Sequence, residues 1–389
     1  MRKRLAACLI AALLTLPGGA KALSAAPLEG GAPEKYDCAA ALLVEPDSGQ
    51  IVFALNAGEK RPVASVTKIM TILLTCEAVE RGDIDLTDPV QISANAAGMG
   101  GSQVRLDAGE TQPVGELLKS VIVGSANDSA VALAEYIAGS VPLFVDRMNR
   151  RAAELGMGDT VFVNCTGLPA AGQYTTAHDV AAMAVELSKH ELYYDYSTLW
   201  LEDFTHESGR VTTLTNTNKL IRQYDGCDGL KTGSTAEAGY CMAASAKRGG
   251  MRLIAVVLGA PSGKERFRIA SAMLDYGFAN YRLYPVAEQG ARVRGRMPVT
   301  GSQKDAVALA LGDSLTLLVK KGGEAAVSLE ADLPDSLAAP VKAGDAVGWV
   351  NVLRDGETVA QIPVVAAEDA PLRGLGDGLH RVLMDWCFQ

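Results

Sequence analysis

The sequence predicts an α+β fold in which an antiparallel sheet covered by helices, with a helical subdomain, is followed by a small all-β domain. Strand patterns occur at both ends of the first 280 residues with a helical block between them, so distant segments must share one sheet. Beyond Tyr284 the apolar runs become short and are separated by Gly, Asp and Pro. A chain of 389 residues also exceeds what one hydrophobic core usually serves, so two domains are expected.

The first domain, residues 35–282, combines strands with helices of regular apolar periodicity. Its four clearest strands are 38–44, 50–55, 239–246 and 251–259, the last two joined as a hairpin about Gly249-Gly250. Its helices are expected to start near Ser65, Pro113, Asn127, Thr176 and Lys264. Thr176 has the residue type of an N-cap, and Asp179 follows it three residues later.

The second domain, residues 284–366, is predicted from short β-rich runs. These runs are 306–311, 314–319, 325–329 and 347–352. In the tail, residues 371–389, Leu and other apolar residues recur every three to four positions, as on one face of a helix. The stripe predicts a helix lying in a membrane surface, and a packed C-terminal helix is the alternative.

The N-terminus has the three parts of a secretory signal. Basic residues at 2–4 precede an apolar run of about 12 residues, too short to span a bilayer, and Ala20-Lys21-Ala22 fits a cleavage site. Removal of residues 1–22 takes away four of the 36 basic residues and none of the 45 acidic ones, which leaves a net charge near −13. Export is therefore expected, and nucleic acid is not expected as a partner.

The cysteines and histidines indicate no metal or other cofactor. Six of the seven cysteines follow residue 22, without a C-x-x-C pair, and the four histidines have no ligand spacing. Cys227 and Cys241 flank one motif in segments that could pair about a turn near Ser234. One expectation for an exported protein is a disulfide between them. The other is that both cysteines are unbridged and buried as small hydrophobic side chains.

Three short motifs carry the chemistry. In Ser65-Val66-Thr67-Lys68, the hydroxyl and the amine stand three apart on one helix face, so Lys68 could take the proton of Ser65 if its pKa were lowered by burial or by a nearby cation such as Lys231. The helix start would also direct backbone N–H groups at a developing oxyanion. Alternatively, Ser65 only caps the helix and Lys68 is solvated.

Two further motifs follow in order along the chain. Ser125-Ala126-Asn127 lies in a break between helices, where Ser125 could relay protons and Asn127 could bind a peptide; helix capping is the alternative. Lys231-Thr232-Gly233 lies on a probable strand, where Gly233 would let a substrate backbone approach closely; an edge strand with a protective lysine is the alternative. All three motifs together, in this order, are typical of serine acyl-transfer enzymes.

These segments resemble the low-molecular-weight penicillin-binding proteins that are D-alanyl-D-alanine carboxypeptidases. The resemblance includes residues 61–71, 228–233 and 238–240, together with Gly167-Leu168 and Gln173-Tyr174, and it extends over about residues 35–280. It implies a β-lactamase/transpeptidase-like fold and a hydrolase that trims the terminal D-alanine of peptidoglycan stem peptides. It also implies covalent inhibition by β-lactams, and location at the outer face of the cytoplasmic membrane or in the cell wall.

The resemblance also implies roles for single residues. Ser65 would be the acylated nucleophile and Lys68 its base, while Ser125 and Asn127 would relay protons and bind the peptide. Lys231, Thr232 and Arg266 would hold the substrate carboxylate, and the backbone N–H groups of Ser65 and Ser234 would form the oxyanion hole. The roles implied by the resemblance fall on these residues: Ser65, Lys68, Ser125, Asn127, Lys231, Thr232, Gly233, Ser234 and Arg266.

Two departures from the family pattern are Ala126, where Gly is usual, and Ser234, where Tyr or His is common. They leave open the deacylation rate and the sensitivity to β-lactams. Glu186 and Glu191 look like solvated helix residues and not like the deacylating glutamate of class A β-lactamases. A class A-like β-lactamase, a peptidoglycan endopeptidase and a non-catalytic cell-wall binding protein remain the alternatives, and the last would be expected to lack Ser65 or Lys68.

Overall fold

The structure is a computed structural model that describes residues 23, 27–28, 33–323 and 326–374. It confirms the expected α+β class, because a mixed helical and sheet unit precedes an all-β region. The described chain divides into two compact units: residues up to 246 with 254–271, and 247–253 with 272–374.

The first unit contains a five-stranded sheet in the order β2-β1-β9-β8-β7. These strands are β1 (Ala40–Glu45), β2 (Gln50–Leu55), β7 (Cys227–Thr235), β8 (Gly239–Arg248) and β9 (Met251–Ala260). The N-terminal hairpin pairs with β9 in antiparallel register, Ala40 opposite Leu258. The expected sharing of one sheet by distant segments is thereby observed, and β7 is left as an edge strand.

The helices of the central block pack on this sheet around α1. They are α1 (Lys68–Glu80), α2 (Ala94–Ala97), α3 (Val114–Val123), α4 (Asn127–Ala138), α5 (Val141–Glu154), α6 (Ala177–Leu187), α7 (Glu191–Ser197) and α8 (Leu220–Gln223). A further helix, α9 (Gly263–Asn280), follows β9. The first nine residues of α1 are all buried, including Lys68. A helix that is buried on every side belongs at the centre of a domain. The expected cap at Thr176 is present, since its hydroxyl accepts the N–H of Asp179 at 3.0 Å.

Several elements of the first unit were not expected from the sequence. They are helices α2, α5, α7 and α8, and two two-stranded antiparallel pairs, formed by β3 (Pro89–Gln91) with β4 (Thr111–Pro113) and by β5 (Leu201–Thr205) with β6 (Val211–Thr215). Strands β5 and β6 bury one residue in each, so their apolar alternation is too weak to stand out in the sequence.

The second unit is built mainly of strands. They are β10 (Tyr281–Ala287), β11 (Arg292–Thr300), β12 (Ala306–Leu311), β13 (Leu315–Lys320), β14 (Val327–Asp332), β15 (Leu337–Ala338), β16 (Ala346–Arg354) and β17 (Glu357–Ala366). Six of them form one sheet in the order β14-β16-β17-β12-β11-β15, and β10 pairs with β13. A separate apolar cluster, which includes Val307, Val352 and Val364, forms the core of this unit.

The signal segment 1–22 lies outside the described residues, and so does most of the tail, from residue 375. The described start of the tail, residues 371–374, is extended and not helical. Leu372 forms a β-bridge with Ser302, and the Arg373 N–H donates to the carbonyl of Gly301 at 2.9 Å. The expectation that the tail helix begins at Pro371 is therefore wrong for these residues, because they pair with the β-rich unit.

The disulfide expected between Cys227 and Cys241 is wrong. The two strands do pair, but Cys227 lies opposite Ala246, and Cys241 lies opposite Gly233. The five-residue step from position 241 to position 246 spans roughly 17 Å of strand, whereas bridged cysteines have Cα atoms within about 7 Å. The turn is centred on Glu237, three residues later than the sequence suggested, and both cysteines are free and buried.

Within the part of the chain that the structure describes, no single helix has the length and apolar character needed to cross a membrane. Helices α4 and α5 meet the test only as a pair, and they meet at an angle of 84°.

Candidate active site

Ser65 and Lys68 are positioned at the entry of the buried helix α1. Residues Ala64–Thr67 form a 3₁₀ turn, and α1 continues from Lys68. In this tight turn, side chains three apart lie on one side. The Lys68 Nζ therefore lies 3.1 Å from the Ser65 Oγ, and the two predicted residues are brought together.

Lys68 is fully buried and has two further partners. Its Nζ donates to the Asn127 Oδ1 at 2.5 Å and to the carbonyl of Thr166 at 2.6 Å. Burial lowers the pKa of Lys68 from 10.5 to about 7, although the charge of Asp128 acts in the opposite direction. Desolvation disfavours the charged amine, so a substantial neutral fraction exists near neutral pH. A neutral amine at this position can accept a proton from the Ser65 hydroxyl.

The second motif lies in the connection between α3 and α4, as expected. Ser125 has the left-handed backbone value φ +61°, and its Oγ is buried without a hydrogen-bond partner among the described residues. Strained backbone and unpaired buried polar atoms are concentrated at functional sites. The side-chain amide of Asn127 is already engaged on both sides, since its Nδ2 donates to the carbonyl of Gly100 at 2.7 Å.

Asp128, directly after the second motif, fixes the neighbouring loop. Its buried carboxylate accepts the backbone N–H groups of Val104, Arg105 and Leu106 at 3.2, 2.8 and 3.1 Å. This loop also contains Ser102, whose carbonyl accepts the Asn127 N–H at 2.7 Å. Asp128 therefore positions the segment on which Asn127 depends, a role that the sequence analysis did not anticipate.

Lys231 and Thr232 lie on β7, the edge strand of the sheet. Lys231 is 1% exposed. Burial lowers its pKa well below the ordinary value, and the charges of Lys68 and Arg266 lower it further. The Thr232 hydroxyl donates to the Thr217 hydroxyl at 2.9 Å. Two buried lysines and an arginine in one site disfavour each other's charge, so an incoming carboxylate would be stabilised by all three.

Gly233 is needed for a different reason from the one that the sequence suggested. A Cβ at this position would lie 2.7 Å from the Ser65 N and 2.8 Å from the Val63 carbonyl oxygen. The space that a side chain would require is thus filled by the backbone of the 3₁₀ turn and not by a substrate. Gly233 allows β7 to pack against the segment that carries Ser65, and Ser234 follows it as an exposed residue.

Arg266 lies in the first turns of α9, as predicted, and is 9% exposed. Its Nη1 donates to the carbonyls of Gly233 at 3.0 Å and of Cys241 at 3.3 Å, while its buried Nε has no partner among the described residues. The guanidinium also lies over the Phe267 ring, 4.8 Å from the centroid. Arg266 is therefore bonded directly to the third motif.

One segment of the site, residues 164–167, was given no role in the site from the sequence. The Asn164 Oδ1 accepts the N–H groups of Thr166 and Gly167 at 3.1 and 2.7 Å, and so holds the carbonyl of Thr166 that receives Lys68. Gly167 has φ +78°, and a Cβ there would lie 1.9 Å from the Ala64 carbonyl oxygen. The family-like Gly167-Leu168 pair in the sequence was the available signal.

Glu191 is exposed, as expected of a solvated helix residue, whereas Glu186 is half-buried. Glu186 is not solvated, because it forms ion pairs with Arg151 at 2.8 Å and with Lys189 at 2.6 Å. Glu191 begins the separate helix α7. Neither carboxylate is bonded to Ser65 or Lys68, so no deacylating glutamate is provided by these two residues.

Two histidines have carboxylate neighbours that their sequence spacing did not indicate. His190 lies beside Glu77 and Glu186, and His206 lies beside Asp107 and Glu110. In each group the atoms that could bind a metal ion, ring nitrogens and carboxylate oxygens, lie within 4.8 Å of one another. Cations of the chain already enter both groups: Arg151 pairs with Glu77 and Glu186, and Arg210 pairs with Asp107. Both are accounted for as ion-pair networks.

Comparisons with known proteins agree with this geometry. The D-alanyl-D-alanine carboxypeptidase family model matches residues 28–262, and the model of the C-terminal domain of penicillin-binding protein 5 matches residues 281–371. The D-alanyl-D-alanine carboxypeptidase DacF of Bacillus subtilis is 40% identical over 352 residues, which cover 90% of each chain.

Solved structures show the same relationship. Penicillin-binding protein 5 from Haemophilus influenzae has a TM-score of 0.79 at 32% identity and covers 88% of this chain and 100% of its own. Penicillin-binding protein 6B from Escherichia coli has a TM-score of 0.71 at 28% identity, with 88% and 99% covered. With the matched motifs assembled around Ser65, the chain belongs to the D-alanyl-D-alanine carboxypeptidase family of low-molecular-weight penicillin-binding proteins.

Proposed function

We propose that the protein is a serine-type carboxypeptidase that removes the terminal D-alanine from peptides ending in D-Ala-D-Ala, through an acyl-enzyme on Ser65. The observation that carries the proposal is the contact of 3.1 Å between the Lys68 Nζ and the Ser65 Oγ, with a pKa of about 7 for Lys68. A hydroxyl becomes a competent nucleophile when a neutral base of this kind takes its proton.

In acylation, Lys68 accepts the Ser65 proton as the Oγ attacks the carbonyl carbon of the penultimate D-alanine. A C–O bond forms, and the oxyanion is stabilised by the backbone N–H groups of Ser65 and Ser234. The C–N bond then breaks, and the proton passes to the departing amine through Ser125. The unpaired Ser125 Oγ is suited to this relay, because it has no competing partner among the described residues.

The terminal carboxylate distinguishes a carboxypeptidase substrate from an internal peptide bond. Lys231, Thr232 and Arg266 hold this carboxylate, and the suppressed pKa of Lys231 favours the arrival of a negative charge. A bound carboxylate favours the protonated form of Lys231, so the positive charge of Lys231 is stabilised most when a substrate with a free terminal carboxylate is present. Asn127 orients the peptide and remains bonded to Lys68.

Deacylation completes the cycle. Water attacks the ester carbonyl, gives its proton to Lys68, and releases the shortened peptide as Ser65 recovers its proton. A class A-like β-lactamase mechanism is disfavoured because Glu186, the half-buried candidate for a deacylating glutamate, is bonded to Arg151 and Lys189. β-Lactams are expected to acylate the same serine, and the resulting acyl-enzyme is expected to be hydrolysed slowly.

The proposal extends to the organisation and location of the chain. Residues 1–22 serve as an export signal, 35–282 form the catalytic domain, 284–366 the β-rich domain and 371–389 a tail for the outer face of the cytoplasmic membrane. Substrates are peptidoglycan stem peptides. The tail is tested by fractionation of a protein truncated after Gly374, which keeps the described contacts of Leu372 and Arg373. Equal membrane partitioning of truncated and full chains would exclude an anchor.

The activity is tested by incubating the protein with a pentapeptide ending in D-Ala-D-Ala and with the same peptide ending in D-Ala-L-Ala. We expect one D-alanine to be released from each molecule of the first peptide and none from the second. If the protein hydrolysed a penicillin with many turnovers and released no D-alanine, the carboxypeptidase assignment would be wrong and a β-lactamase would be the better assignment.

A further inference from the structure

The loop that precedes β4 holds Asn127 in place. The carbonyls of Gly100 and Ser102 accept the side-chain and the backbone N–H of Asn127, each at 2.7 Å. A Cβ at Gly101 would lie only 2.8 Å from the Asn127 Nδ2, so the loop packs directly against this side chain. The Asn127 Oδ1 in turn accepts the Lys68 Nζ at 2.5 Å. The position of the loop therefore decides where Asn127 meets Lys68.

Arg105, in the same loop, has a strained backbone. Its φ is +64°, a left-handed value that residues other than glycine rarely adopt. Such conformations persist where the surrounding structure over-determines them, and they are concentrated at functional sites. Asp128 supplies one set of constraints, because its carboxylate accepts three backbone N–H groups of the loop.

The β5–β6 pair supplies a second set of constraints through the loop carbonyls. The Thr212 hydroxyl donates to the carbonyl of Val104 at 3.1 Å. The Arg210 Nη2 donates to the carbonyl of Arg105 at 2.5 Å. The loop is thus bonded through its N–H groups by Asp128 and through its carbonyls by the residues of this pair. A strained segment that is bonded in both ways is held in one conformation.

His206 connects Thr212 to a buried carboxylate. The side chain of His206 is fully buried, with its Nδ1 3.1 Å from the Glu110 Oε1 and 3.2 Å from the Arg210 Nη2. Its Nε2 lies 3.0 Å from the Thr212 Oγ1. Because the single hydroxyl proton of Thr212 goes to the Val104 carbonyl, the proton between Thr212 and His206 belongs to Nε2. His206 therefore orients the Thr212 hydroxyl toward the loop.

We propose that His206 and Thr212 are positioning residues for acylation. Their chain of hydrogen bonds keeps the loop in contact with Asn127, and Asn127 in contact with Lys68. The inference rests on the proposed function, in which Lys68 takes the proton of Ser65. It gives the buried histidine a role in the reaction, although the histidine acts only through the loop.

The test measures kcat/KM for release of D-alanine from a pentapeptide ending in D-Ala-D-Ala, a quantity that reports the steps through acylation. Thr212→Val keeps the shape of the side chain but removes its hydroxyl, and it should lower kcat/KM by roughly three- to tenfold, the effect of one hydrogen bond. Thr212→Ser keeps the hydroxyl and should retain the parent value. Thr213→Val is the control, because the Thr213 hydroxyl is exposed and donates to Asp203 at 2.7 Å.

Two further variants test the route through the loop. His206→Phe keeps the ring and removes both nitrogen atoms, so it should lower kcat/KM by more than roughly tenfold. In an Asn127→Ala background, Thr212→Val should change kcat/KM by less than about twofold, because substitutions that act through one group are not additive. A loss that came only from weaker packing would be the same in both backgrounds.

The outcomes separate this inference from the proposed function. Parent kcat/KM in Thr212→Val, or an equal loss in Thr212→Ser, overturns the inference and leaves the carboxypeptidase intact. The same loss from Thr212→Val with and without Asn127 also overturns it. The Thr212 variants decide the matter if His206→Phe fails to fold. Absence of D-alanine release by the unmodified protein overturns the proposed function, and this inference with it.

Discussion

The pKa of Lys68 leads to a prediction about the pH dependence of acylation. The fall from 10.5 to about 7 corresponds to about 5 kcal/mol in favour of the neutral amine. At pH 7 about half of the molecules would hold neutral Lys68, which is roughly a thousand-fold more than for an ordinary lysine. The acylation rate should therefore rise about tenfold between pH 6 and pH 8 and level off above that range.

The assay is stopped-flow acylation by a fluorescent penicillin between pH 5 and pH 9. Lys68→Ala should lower the plateau by about a hundred- to ten-thousand-fold. Lys189→Ala, which removes an exposed lysine paired with Glu186, should leave the midpoint unchanged. A rate that is flat from pH 5 to pH 8, or a midpoint near pH 10, would refute the assignment of Lys68 as the base.

The same pKa has a consequence for stability with a defined sign. Because the pKa of Lys68 is lower in the folded state than in the unfolded state, the unfolded chain binds more protons than the folded chain between about pH 7 and pH 10.5. The contribution of this group to the free energy of unfolding is therefore least favourable below pH 7 and improves as the pH rises through that window.

Three other predictions concern single side chains. Gly167→Ala should strongly lower the thermal midpoint and the activity, because its Cβ would lie 1.9 Å from the Ala64 carbonyl oxygen. The control Gly172→Ala, also at positive φ but with open space around it, should lower the free energy of unfolding by only about 1 kcal/mol in circular-dichroism melts. Equal losses of stability in the two variants would contradict the packing argument. Arg266→Ala should raise KM for a free-carboxylate peptide more than for its amide, and equal increases would limit Arg266 to support of β7 through the Gly233 carbonyl. Asn164→Ala should lower acylation by penicillin more than tenfold by releasing the Thr166 carbonyl from its place beside Lys68, and an unchanged rate would remove Asn164 from the site.

The fold class and the main motifs could be predicted because their signals are local. The apolar run of α1, the cap at Thr176 and the Gly249-Gly250 turn all lie within short stretches of sequence. Register is not local. The expected Cys227–Cys241 bridge failed because the turn could not be located to within three residues, and such a shift changes every pairing along the strands.

The supporting residues of the site were also beyond sequence reasoning. Asn164 and Asp128 act through hydrogen bonds to backbone groups, and most of these bonds join segments that meet only in the folded chain. The role of Gly233 was misjudged for the same reason, because its missing side chain accommodates Val63 and Ser65 from a segment about 170 residues earlier in the chain. The nucleophile and base could be found because they lie three residues apart.

The central claim is that Ser65 is the residue acylated by substrate and by β-lactams. The most direct measurement is intact-mass spectrometry after reaction with benzylpenicillin, followed by peptide mapping of the adduct. We predict one penicilloyl group per molecule, located on Ser65, and no adduct in Ser65→Ala. An adduct on another residue, or a Ser65→Ala variant that still releases D-alanine at the parent rate, would contradict the account.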